Sequence, residues 1–498
     1  MSVSQTELIA ELAQSFPDAV AWRNVADRNE LTFRRWHRES NSLARSLGEL
    51  GVGRGDRVAL VIGNDQPLEW LVSYVGIHKA GGVAVPLLAR LGPAELRAIL
   101  HDADASIALC GDTRPELRTS VPVVISTRPG ERYLFGDLLA ADDSDVDSRP
   151  DAHETADVMY TSGTTGRPKG VVIPHADLAT ADRVPSAWHG LGFLSSSPFA
   201  TTSGSLLVTG PLRSGLCGLF LARFDPGQWI DAVEKERPVS AFLVPAMVEL
   251  IVACPRFASA DMSSLAAVTI GSAPIAGATL RRFGSGLANA EVLCGYGMTE
   301  FGAVTATPLG DRGKHLGSVG LPLPGVEVRI VDPESATPRS PMEVGEIVIG
   351  GSRPARRYLG DPVTSDRTWV DGWLRSGDLG YLDDDGHLWI VGRQKEMIIR
   401  GGHNIVPGEV EAALYEHPAV AEAAVAGVSH PVLGEDVAAW VVLRTDVSTE
   451  DLRSFLLERL ADYKVPRRIT AVPALPRNEG GKVRKSDLVP GDEPGKGS

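Results

Sequence analysis

The most constraining feature of this 498-residue chain is an alternation of short apolar runs with segments of helical period. Residues 57–62 have the composition of a buried strand, and apolar side chains then recur at helical spacing over 68–75. The pattern repeats with a strand at 83–87, a helix opened by Pro93 and a strand at 106–109. Strands linked through helices are typical of parallel sheets covered by helices. The sequence therefore predicts an α/β fold.

A chain of this length exceeds what one hydrophobic core usually contains, so we expect two or three units. Between about 317 and 390, short alternating runs separated by turn residues predict a small antiparallel sheet or barrel. A new pattern follows, with a helix opened by Pro407, two strands at 421–426 and 437–443, and a second helix capped by Ser448.

These changes of pattern predict a domain boundary between Gln394 and Lys395. We expect a large N-terminal domain of α/β subdomains plus a small β-barrel (1–394), followed by a smaller, mobile α+β domain (395–490). The last residues, 491–498, are predicted to be a flexible tail.

The overall charge restricts the kinds of partner. The chain has 49 Lys and Arg against 63 Asp and Glu, a formal net charge of −14. This balance argues against nucleic acid or an anionic membrane as the main partner. An anionic ligand therefore needs local positive side chains. The sequence leaves a monomer and a homodimer equally open.

Cysteine usage and the N-terminal sequence predict the compartment. The four cysteines lie far apart without a CxxC pair, which indicates free thiols: Cys110, Cys217, Cys254 and Cys294. The first residues lack the basic and apolar regions of a signal peptide, and no apolar run approaches membrane-spanning length. We therefore expect a cytoplasmic protein.

The segment from Tyr160 to Gly170, YTSGTTGRPKG, concentrates glycines, hydroxyls and one lysine directly after an apolar run. Small residues let backbone N–H groups converge, and Lys169 adds a positive charge, so the segment suits a polyphosphate. It does not match a Walker A loop, because Pro168 precedes the lysine and Gly170 follows it. The alternative is a flexible surface loop.

This string resembles the phosphate loop of the acyl-adenylate-forming superfamily, which includes acyl-CoA synthetases, aryl-CoA ligases and free-standing adenylation domains. The resemblance extends from about Leu31 to Leu488, with several motifs in the family's order. It implies that ATP, Mg²⁺ and CoA (or the phosphopantetheine of a carrier protein) bind to the chain. Within the phosphate loop it implies nucleotide contacts for these residues: Thr161, Ser162, Gly163, Thr164, Thr165, Gly166 and Lys169.

Further motifs complete the nucleotide site that the resemblance implies. In the segment 295–300, GYGMTE, Tyr296 is expected to pack on adenine, Thr299 to contact phosphate, and Glu300 to bind Mg²⁺. Without the resemblance, Tyr296 could equally be a core aromatic residue and Glu300 a surface charge. The same motif and the small-residue loop 271–274 add these nucleotide-binding candidates: Ser272, Ala273, Pro274, Gly295, Gly297 and Met298.

The ribose and the reacting groups have their own candidates. Asp378 resembles the family's ribose-binding carboxylate and Arg393 its companion; the alternative for Asp378 is a surface β-turn. Lys482, between glycine-rich residues, resembles the catalytic lysine of the C-terminal domain, whereas an isolated lysine is ordinarily solvated. Together with Lys169, Thr299 and Glu300, it forms the predicted catalytic set.

One lysine cannot serve two half-reactions at one site from different faces, and in the family the small domain rotates between them. Lys395 matches the hinge position, although it could also lie in an ordinary linker. After rotation, Gly401 and Gly402 are expected to line a tunnel for the pantetheine thiol, since bulky side chains would block it.

The acyl pocket departs from the family pattern. The family typically has an aromatic residue followed by His, whereas here Phe199 is followed by Ala200 and Thr201. This opens the pocket and favours a compact aromatic or cyclic acid. With Gly271 and Gly297, these residues form the predicted substrate pocket. Gly295 stands where malonyl-type ligases usually have Arg, which makes a dicarboxylate a weaker candidate.

The leading hypothesis is an ATP-dependent carboxylic acid:CoA ligase, an acid–thiol ligase that forms an acyl-adenylate, releases pyrophosphate and then forms the thioester. The alternative is a free-standing adenylation enzyme that loads a carrier protein in trans, or one that passes the acyl group to a nitrogen or oxygen nucleophile. A catalytically silent nucleotide-binding relative is disfavoured by the intact Lys169, Glu300, Asp378 and Lys482.

Overall fold

The computed structural model describes residues 3–140, 142–146, 150–161, 168–178, 185–477 and 483–489. The first part of the chain alternates helices and strands in this order: α1 (Gln5–Ser15), β1 (Val20–Asn24), β2 (Glu30–Thr32), α2 (Phe33–Glu49), β3 (Arg57–Val61), α3 (Pro67–Lys79), β4 (Val83–Pro86), α4 (Pro93–Asp102), β5 (Ile107–Cys110), α5 (Pro115–Ser120), β6 (Val123–Ser126), β7 (Tyr133–Leu134), α6 (Phe135–Leu138), β8 (Thr155–Thr161), β9 (Lys169–Pro174) and α7 (His175–Leu178). The α/β alternation predicted over 57–109 is confirmed.

The second part continues the alternation and then becomes mainly β: β10 (Gly192–Ser195), α8 (Thr202–Leu207), α9 (Gly210–Arg213), β11 (Cys217–Phe220), α10 (Pro226–Glu236), β12 (Ser240–Leu243), α11 (Pro245–Ala253), β13 (Ala267–Ile270), α12 (Gly277–Ser285), β14 (Glu291–Met298), β15 (Gly302–Ala306), β16 (Leu321–Pro322), β17 (Val326–Val331), β18 (Gly345–Gly351), α13 (Pro362–Thr368), β19 (Trp369–Val370), β20 (Trp373–Leu382) and β21 (Leu388–Arg393).

The remaining elements form a separate α+β unit, which we call the C-terminal lobe: β22 (Ile398–Arg400), β23 (His403–Ile405), α14 (Pro407–Tyr415), β24 (Val420–His430), β25 (Gly434–Leu443), α15 (Thr449–Leu457) and β26 (Arg468–Ala471). The described residues up to Arg393 form the N-terminal lobe. Ser448 caps α15 as predicted, accepting a hydrogen bond from the backbone N–H of Asp451. The domain boundary at 394/395 remains a prediction.

Two large sheets dominate the N-terminal lobe. One has the strand order β7-β6-β5-β3-β4-β8-β9, and all of its pairings are parallel except that between β8 and β9. The other has nine strands in the order β16-β15-β14-β13-β12-β10-β11-β1-β2, and its central strands β14 to β1 are parallel. Because ligands bind beyond the carboxyl ends of parallel strands, the loops after β10, β12, β13 and β14 are positioned to form a site.

A small antiparallel sheet follows, with the order β17-β18-β20-β19 and with β21 paired to β20. This confirms the antiparallel sheet predicted over 317–390. In its long hairpin β20–β21, the middle of β20 and the end of β21 lie side by side. The sheet thus presents polar residues at the edge of the N-terminal lobe.

Helix α3 and the buried cysteines are part of the hydrophobic core. Helix α3 has Pro67 in its first turn, is apolar on most faces and is buried almost throughout, because it packs beneath α1 and α2 and against the strands. All four cysteines are free, as expected. Burial raises the pKa of the Cys110 thiol to about 11 and that of Cys294 to about 12, so both remain neutral structural residues.

The two lobes meet through a small polar contact. Glu249, at the middle of α11, accepts a hydrogen bond from Arg444 of the C-terminal lobe at 3.2 Å, and Arg282 of α12 lies 3.7 Å from the same carboxylate. A second contact joins α14 to β21. A Cβ at Gly408 in α14 would lie 2.2 Å from the Val391 carbonyl oxygen in β21, so only glycine fits there. Within the described ranges, no helix is long and apolar enough to cross a membrane.

Candidate active site

The residues predicted for the ribose converge on one carboxylate. Asp378 on β20 faces Arg393 on β21 in register, and the Arg393 Nε lies 2.8 Å from Asp378 Oδ1. Tyr296 on β14 donates its hydroxyl to Asp378 Oδ2 at 2.6 Å. Burial, together with the Asp378 charge, raises the pKa of Tyr296 well above its usual value, so its hydroxyl stays protonated.

This arrangement leaves acceptor capacity on Asp378. The residue is 4% exposed; its Oδ2 accepts the Tyr296 hydroxyl, and its Oδ1 is ion-paired with Arg393. A carboxylate offers about four lone-pair sites, so about two remain for further donors such as the hydroxyls of a sugar. Tyr296 and Arg393 therefore fix the orientation of the carboxylate without exhausting it.

Glycine is required at Gly297 for a local reason. The pairing of β14 with β15 shifts register between Tyr296 and Gly297. A Cβ at Gly297 would lie 2.5 Å from the Gly302 carbonyl oxygen, which is too close for any side chain. Glycine is therefore needed at position 297 for backbone packing, whether or not the residue also lines the substrate pocket as predicted.

A second group of residues lies where the phosphates are predicted. Lys169 begins β9, and its Nζ lies 5.3 Å from the ring centroid of Tyr358. The Tyr358 hydroxyl donates to Glu300 Oε1 at 2.9 Å. Burial raises the pKa of Tyr358, and the Glu300 charge adds to this effect. Tyr358 thus connects the predicted phosphate-binding cation with the predicted Mg²⁺ ligand.

The position of Tyr358 depends on backbone pairing with β9. The Val172 N–H donates to the Arg357 carbonyl oxygen at 2.9 Å, and the Leu359 N–H donates to the Gly170 carbonyl oxygen at 2.7 Å. The strand that carries Lys169 therefore also aligns the segment that carries Tyr358. The site at this end is built from two segments that are far apart in the sequence.

Thr299 is held from both sides. Its hydroxyl lies 2.6 Å from that of Thr202, in the first turn of α8. Its carbonyl oxygen accepts a hydrogen bond at 2.8 Å from Arg356, whose Nε is paired with Asp177 at 2.6 Å. Arg356 and Asp177 are both nearly inaccessible to solvent, so their ion pair holds the Arg356 side chain in place. Through its hydrogen bond to the Thr299 carbonyl oxygen, Arg356 in turn fixes the backbone of residues 299–300.

The predicted adenine-side loop follows β13. Ser272 has a positive φ of 74°, which an L-residue rarely adopts, so the loop is held in a strained turn. A Cβ at Gly271 would be in ordinary contact, 3.5 Å from the Phe242 ring, so packing alone does not require glycine there. Ala273 is half-buried and Pro274 exposed at the carboxyl end of the sheet, where a ligand could approach.

The residues predicted for the acyl pocket differ in how deeply they are buried. The Phe199 ring is 2% exposed and lies within an aromatic cluster, stacked on Phe220 at 4.6 Å and edge-on to Trp22 at 5.1 Å. It supports the loop from the core side. Ala200 and Thr201 are half-buried, and Thr201 caps α8 by accepting from the Gly204 N–H. The open side of this loop is therefore formed by Ala200 rather than by the aromatic ring.

Several predicted residues lie outside the described part of the chain: Ser162, Gly163, Thr164, Thr165, Gly166 and Lys482. Thr161 ends β8 and is half-buried. Lys395 follows β21, and burial, with Arg393 as the next cause, lowers its pKa. Gly401 and Gly402 form the exposed β22–β23 turn with φ values of 57° and 84°. The role assigned to this turn remains a prediction.

Glu300 has the chemistry expected of a Mg²⁺ ligand. Mg²⁺ is bound by oxygen, commonly through one or two carboxylates together with substrate phosphates. Glu300 is half-buried and keeps its second carboxylate oxygen outside the Tyr358 hydrogen bond. Together with triphosphate oxygens, it fits such an ion.

Tyr358, Arg356, Asp177 and Thr202 were not identified in the sequence analysis. An Arg-Arg-Tyr sequence is ordinarily exposed, and no local pattern marks any of these four residues as part of a site. The proximity of Tyr358 to a strand that follows a candidate phosphate loop becomes visible only through the long-range pairing with β9.

Replacing Tyr358 by Phe is expected to lower acyl-adenylate formation about 5- to 10-fold, because Glu300 loses one hydrogen bond worth about 1 kcal/mol while the ring beside Lys169 remains. The rate is measured by carboxylate-dependent pyrophosphate exchange over a range of Mg²⁺ concentrations. Tyr133→Phe, on a half-buried tyrosine of β7, is the control. Unchanged exchange in Tyr358→Phe at every Mg²⁺ concentration would contradict the assigned role.

Comparison with known proteins agrees with this geometry. The family described as AMP-binding enzyme matches residues 9–359, and the AMP-binding enzyme C-terminal domain matches residues 409–482. A feruloyl-CoA synthase from Amycolatopsis sp. is 36% identical, covering 96% of each chain. A fatty acid–[acyl-carrier-protein] ligase, ScoC of Streptomyces coeruleorubidus, is 33% identical, covering 93% of this chain and 92% of its own.

Among solved structures, the anthranilate CoA ligase AuaEII in complex with anthranoyl-AMP superposes with a TM-score of 0.88 at 25% identity, covering 98% of this chain and 96% of its own. The superposition covers nearly the whole length of the chain, and the two family matches together extend from residue 9 to residue 482. The chain belongs to the AMP-binding enzyme family, the acyl-adenylate-forming superfamily, and is an enzyme of the AMP-forming acyl-CoA synthetase type.

Proposed function

We propose that the protein is an ATP-dependent carboxylic acid:CoA ligase for a compact aromatic or cyclic acid. The observation that carries this proposal is a pair of polar groups, one around Asp378 and one around Glu300. Asp378, held by Tyr296 and Arg393, suits the ribose, while Lys169 and Glu300, connected through Tyr358, suit the phosphates. Tyr296 of the first group lies on β14 and Glu300 of the second in the turn that leads from β14 to β15, so one bound nucleotide could contact both groups.

The first half-reaction joins two anions. The substrate carboxylate attacks the α-phosphate and pyrophosphate leaves; two like charges about 4 Å apart repel by roughly 4 kcal/mol at an effective dielectric constant near 20. Lys169 is positioned to offset charge on the phosphates, and Lys482 is proposed to approach from the C-terminal lobe, between the carboxylate and the α-phosphate. Glu300 would hold Mg²⁺, which when bound would supply positive charge to the phosphates.

In the second half-reaction the CoA thiol attacks the acyl carbon of the adenylate, the acyl–oxygen bond breaks, and AMP leaves. We propose that the C-terminal lobe turns at Lys395 and brings the Gly401–Gly402 turn to the site as part of a thiol tunnel. The positive φ of both glycines and the open space around Gly402 favour this assignment. Lobe closure also keeps water from the reactive adenylate.

The substrate class rests on pocket shape. Ala200 presents only a methyl group in the loop after β10, and Gly271 adds no side chain next to the buried Phe242 ring. A flat ring fits such a slot better than a long flexible chain. The relatives named for feruloyl-CoA and anthranilate also act on ring acids by their names.

A carrier protein is the alternative acceptor, favoured by the 33% identical relative named as an acyl-carrier-protein ligase. Its phosphopantetheine arm carries the same thiol as CoA, so the same tunnel serves either. Free thiols throughout the chain fit a reducing, cytoplasmic setting for this chemistry.

A pyrophosphate-release screen tests the proposal. We expect hydroxycinnamates, benzoates and other ring acids to stimulate release, and long-chain and dicarboxylic acids to stimulate it much less. The adenylate formed from the best acid is then offered to free CoA and to isolated carrier proteins. No release with any ring acid would contradict the substrate class, and a preference of several hundredfold for a carrier would replace CoA as the acceptor.

Replacing Gly402 by Leu is expected to slow thioester formation at least about 10-fold while adenylation stays within a factor of two, because the side chain would fill the proposed thiol tunnel. Single-turnover transfer from preformed adenylate to CoA measures the second step. Gly51→Leu is the matched control: Gly51 also has a positive φ, of 95°, and a Cβ there would meet nothing within 4 Å. Equal transfer rates in both variants would contradict the tunnel.

A further inference from the structure

A cluster of two histidines and three carboxylates lies apart from the nucleotide-binding residues. Asp311 and His315 belong to the loop after β15, whereas Asp383, Asp385 and His387 belong to the turn between β20 and β21. Nothing in the proposed reaction uses these residues. The cluster joins two segments that are distant in the sequence.

The geometry of the cluster brings three donor atoms together. His315 Nδ1 lies 2.6 Å from Asp311 Oδ1, and His387 Nε2 lies 4.0 Å from the same oxygen. The two imidazole rings are stacked, with centroids 3.6 Å apart and planes inclined by 17°. One donor atom from each of the three residues falls within 4.8 Å of the other two.

The nitrogen atoms on the far side of both rings face carboxylates. His387 Nδ1 lies 3.7 Å from Asp383 Oδ1, and His315 Nε2 lies 3.5 Å from Asp385 Oδ2. A histidine that binds a metal through one nitrogen ordinarily donates its other N–H to a carboxylate or carbonyl, which fixes the ring. In both rings a carboxylate lies within 4.0 Å of this second nitrogen, and both rings face the same Asp311 oxygen.

His387 also has a buried nitrogen, Nδ1, on the side of its ring that faces Asp383. His387 is 6% exposed, and its Nδ1 has no hydrogen-bond partner within the described residues. An unsatisfied buried polar atom costs about 1–3 kcal/mol. A cation bound at Nε2 would place the proton on Nδ1 and draw it toward Asp383, which satisfies the atom.

We propose that Asp311, His315 and His387 form a binding site for a divalent transition-metal ion of the Zn²⁺ class. Metal–ligand distances of about 2.0–2.2 Å place tetrahedral donors roughly 3.3 Å apart. The observed separations of 2.6 and 4.0 Å lie on either side of this value, so small side-chain rotations suffice. Binding displaces the proton that His315 Nδ1 shares with Asp311, and the remaining position is open to water.

Two imidazole nitrogens distinguish this site from the Mg²⁺ position at Glu300. Mg²⁺ prefers an all-oxygen shell, whereas imidazole suits Zn²⁺, Co²⁺ and Ni²⁺. The nearby Asp383 and Asp385 add negative charge that favours any cation but does not select Mg²⁺. The ion would fasten the loop after β15 to the turn of the hairpin that carries Asp378 and Arg393. It acts as a structural clamp and touches no substrate.

The test uses the full chain without a histidine tag, stripped with a chelator and titrated with Co²⁺ in excess Mg²⁺. We expect one Co²⁺ per chain, with the visible absorption of a nitrogen-containing site, displaced by one equivalent of Zn²⁺. His315→Gln and His387→Gln should each weaken Zn²⁺ binding at least about 100-fold, beyond the 10- to 100-fold typical of outer partners. Zn²⁺ should raise the melting temperature of the native chain and not that of His387→Gln.

Two further variants separate metal binding from misfolding. Asp385→Asn changes a side chain that is 78% exposed, so folding should be retained, and we expect about 10-fold weaker Zn²⁺ binding. His101→Gln, on the exposed end of α4, should bind like the native chain. The proposal is overturned if the native chain takes up no Co²⁺, or if both histidine variants bind as tightly as His101→Gln. Either result would identify the cluster as a hydrogen-bonded contact between the two segments.

Discussion

Replacing Lys482 by Ala is expected to reduce carboxylate-dependent pyrophosphate exchange at least about 1,000-fold, the largest effect predicted for this protein. The reason is electrostatic: no other cation is proposed to lie between the substrate carboxylate and the α-phosphate during attack. Removal of one preorganised group that stabilises developing charge typically costs about 10²–10³ in rate, and here the group also offsets a ground-state repulsion.

The second half-reaction should be spared, because in the proposed cycle the C-terminal lobe turns and removes Lys482 from the site. Thioester formation from chemically prepared acyl-adenylate is therefore expected within a few-fold of the native rate. Lys235→Ala, on an exposed lysine of α10, controls for the loss of a positive charge. Equal losses in both half-reactions would exclude a lysine that serves only one of two lobe orientations.

Replacing Asp378 by Asn is expected to lower kcat/KM for ATP by at least about 100-fold. The amide offers one acceptor oxygen where the carboxylate offered two, and it places an N–H₂ group against either Arg393 or the Tyr296 hydroxyl. Hydrogen bonds to a charged group contribute about 1.5–3 kcal/mol each, and about 1.4 kcal/mol corresponds to tenfold. Two weakened bonds to the ribose account for the expected loss.

The measurement is steady-state pyrophosphate release with ATP varied at a saturating concentration of acid. The KM for the acid should change much less than that for ATP, because Asp378 is proposed to bind the nucleotide and not the acid. Asp371→Asn introduces the same chemical change in the exposed turn before β20, where a positive φ of 50° suits asparagine. An Asp378→Asn enzyme with native kcat/KM for ATP would remove Asp378 from the nucleotide site.

The parts of the fold that could be predicted from the sequence are those that depend on local hydrophobic periodicity and capping residues. The strands and helices between 57 and 109, the antiparallel region and the cap at Ser448 all follow from patterns within short stretches of chain. The convergence of Tyr296 on Asp378, 82 residues apart, followed from resemblance to a family and not from periodicity. From its local sequence alone, Tyr296 could equally be an aromatic residue of the core.

What the sequence could not predict depends on long-range pairing. Tyr358 reaches Glu300 only because its segment pairs with β9, and Phe199 is buried only because other aromatic residues meet it in the core. The pairing of His315 with His387 likewise requires two turns to meet. Each case joins segments whose separate sequences show no sign of a partner.

The contact at Glu249 has a consequence for the proposed turning of the C-terminal lobe. A partly exposed ion pair contributes about 0.2–1 kcal/mol, comparable to thermal energy, so Arg444 holds this arrangement only weakly. Dissolved salt shortens the reach of such charges to about 8 Å at about 0.15 M. Raising the ionic strength should therefore shift the equilibrium between lobe arrangements away from this one. The overall turnover rate would then depend on salt concentration because of a contact between the lobes and not because of the reacting groups.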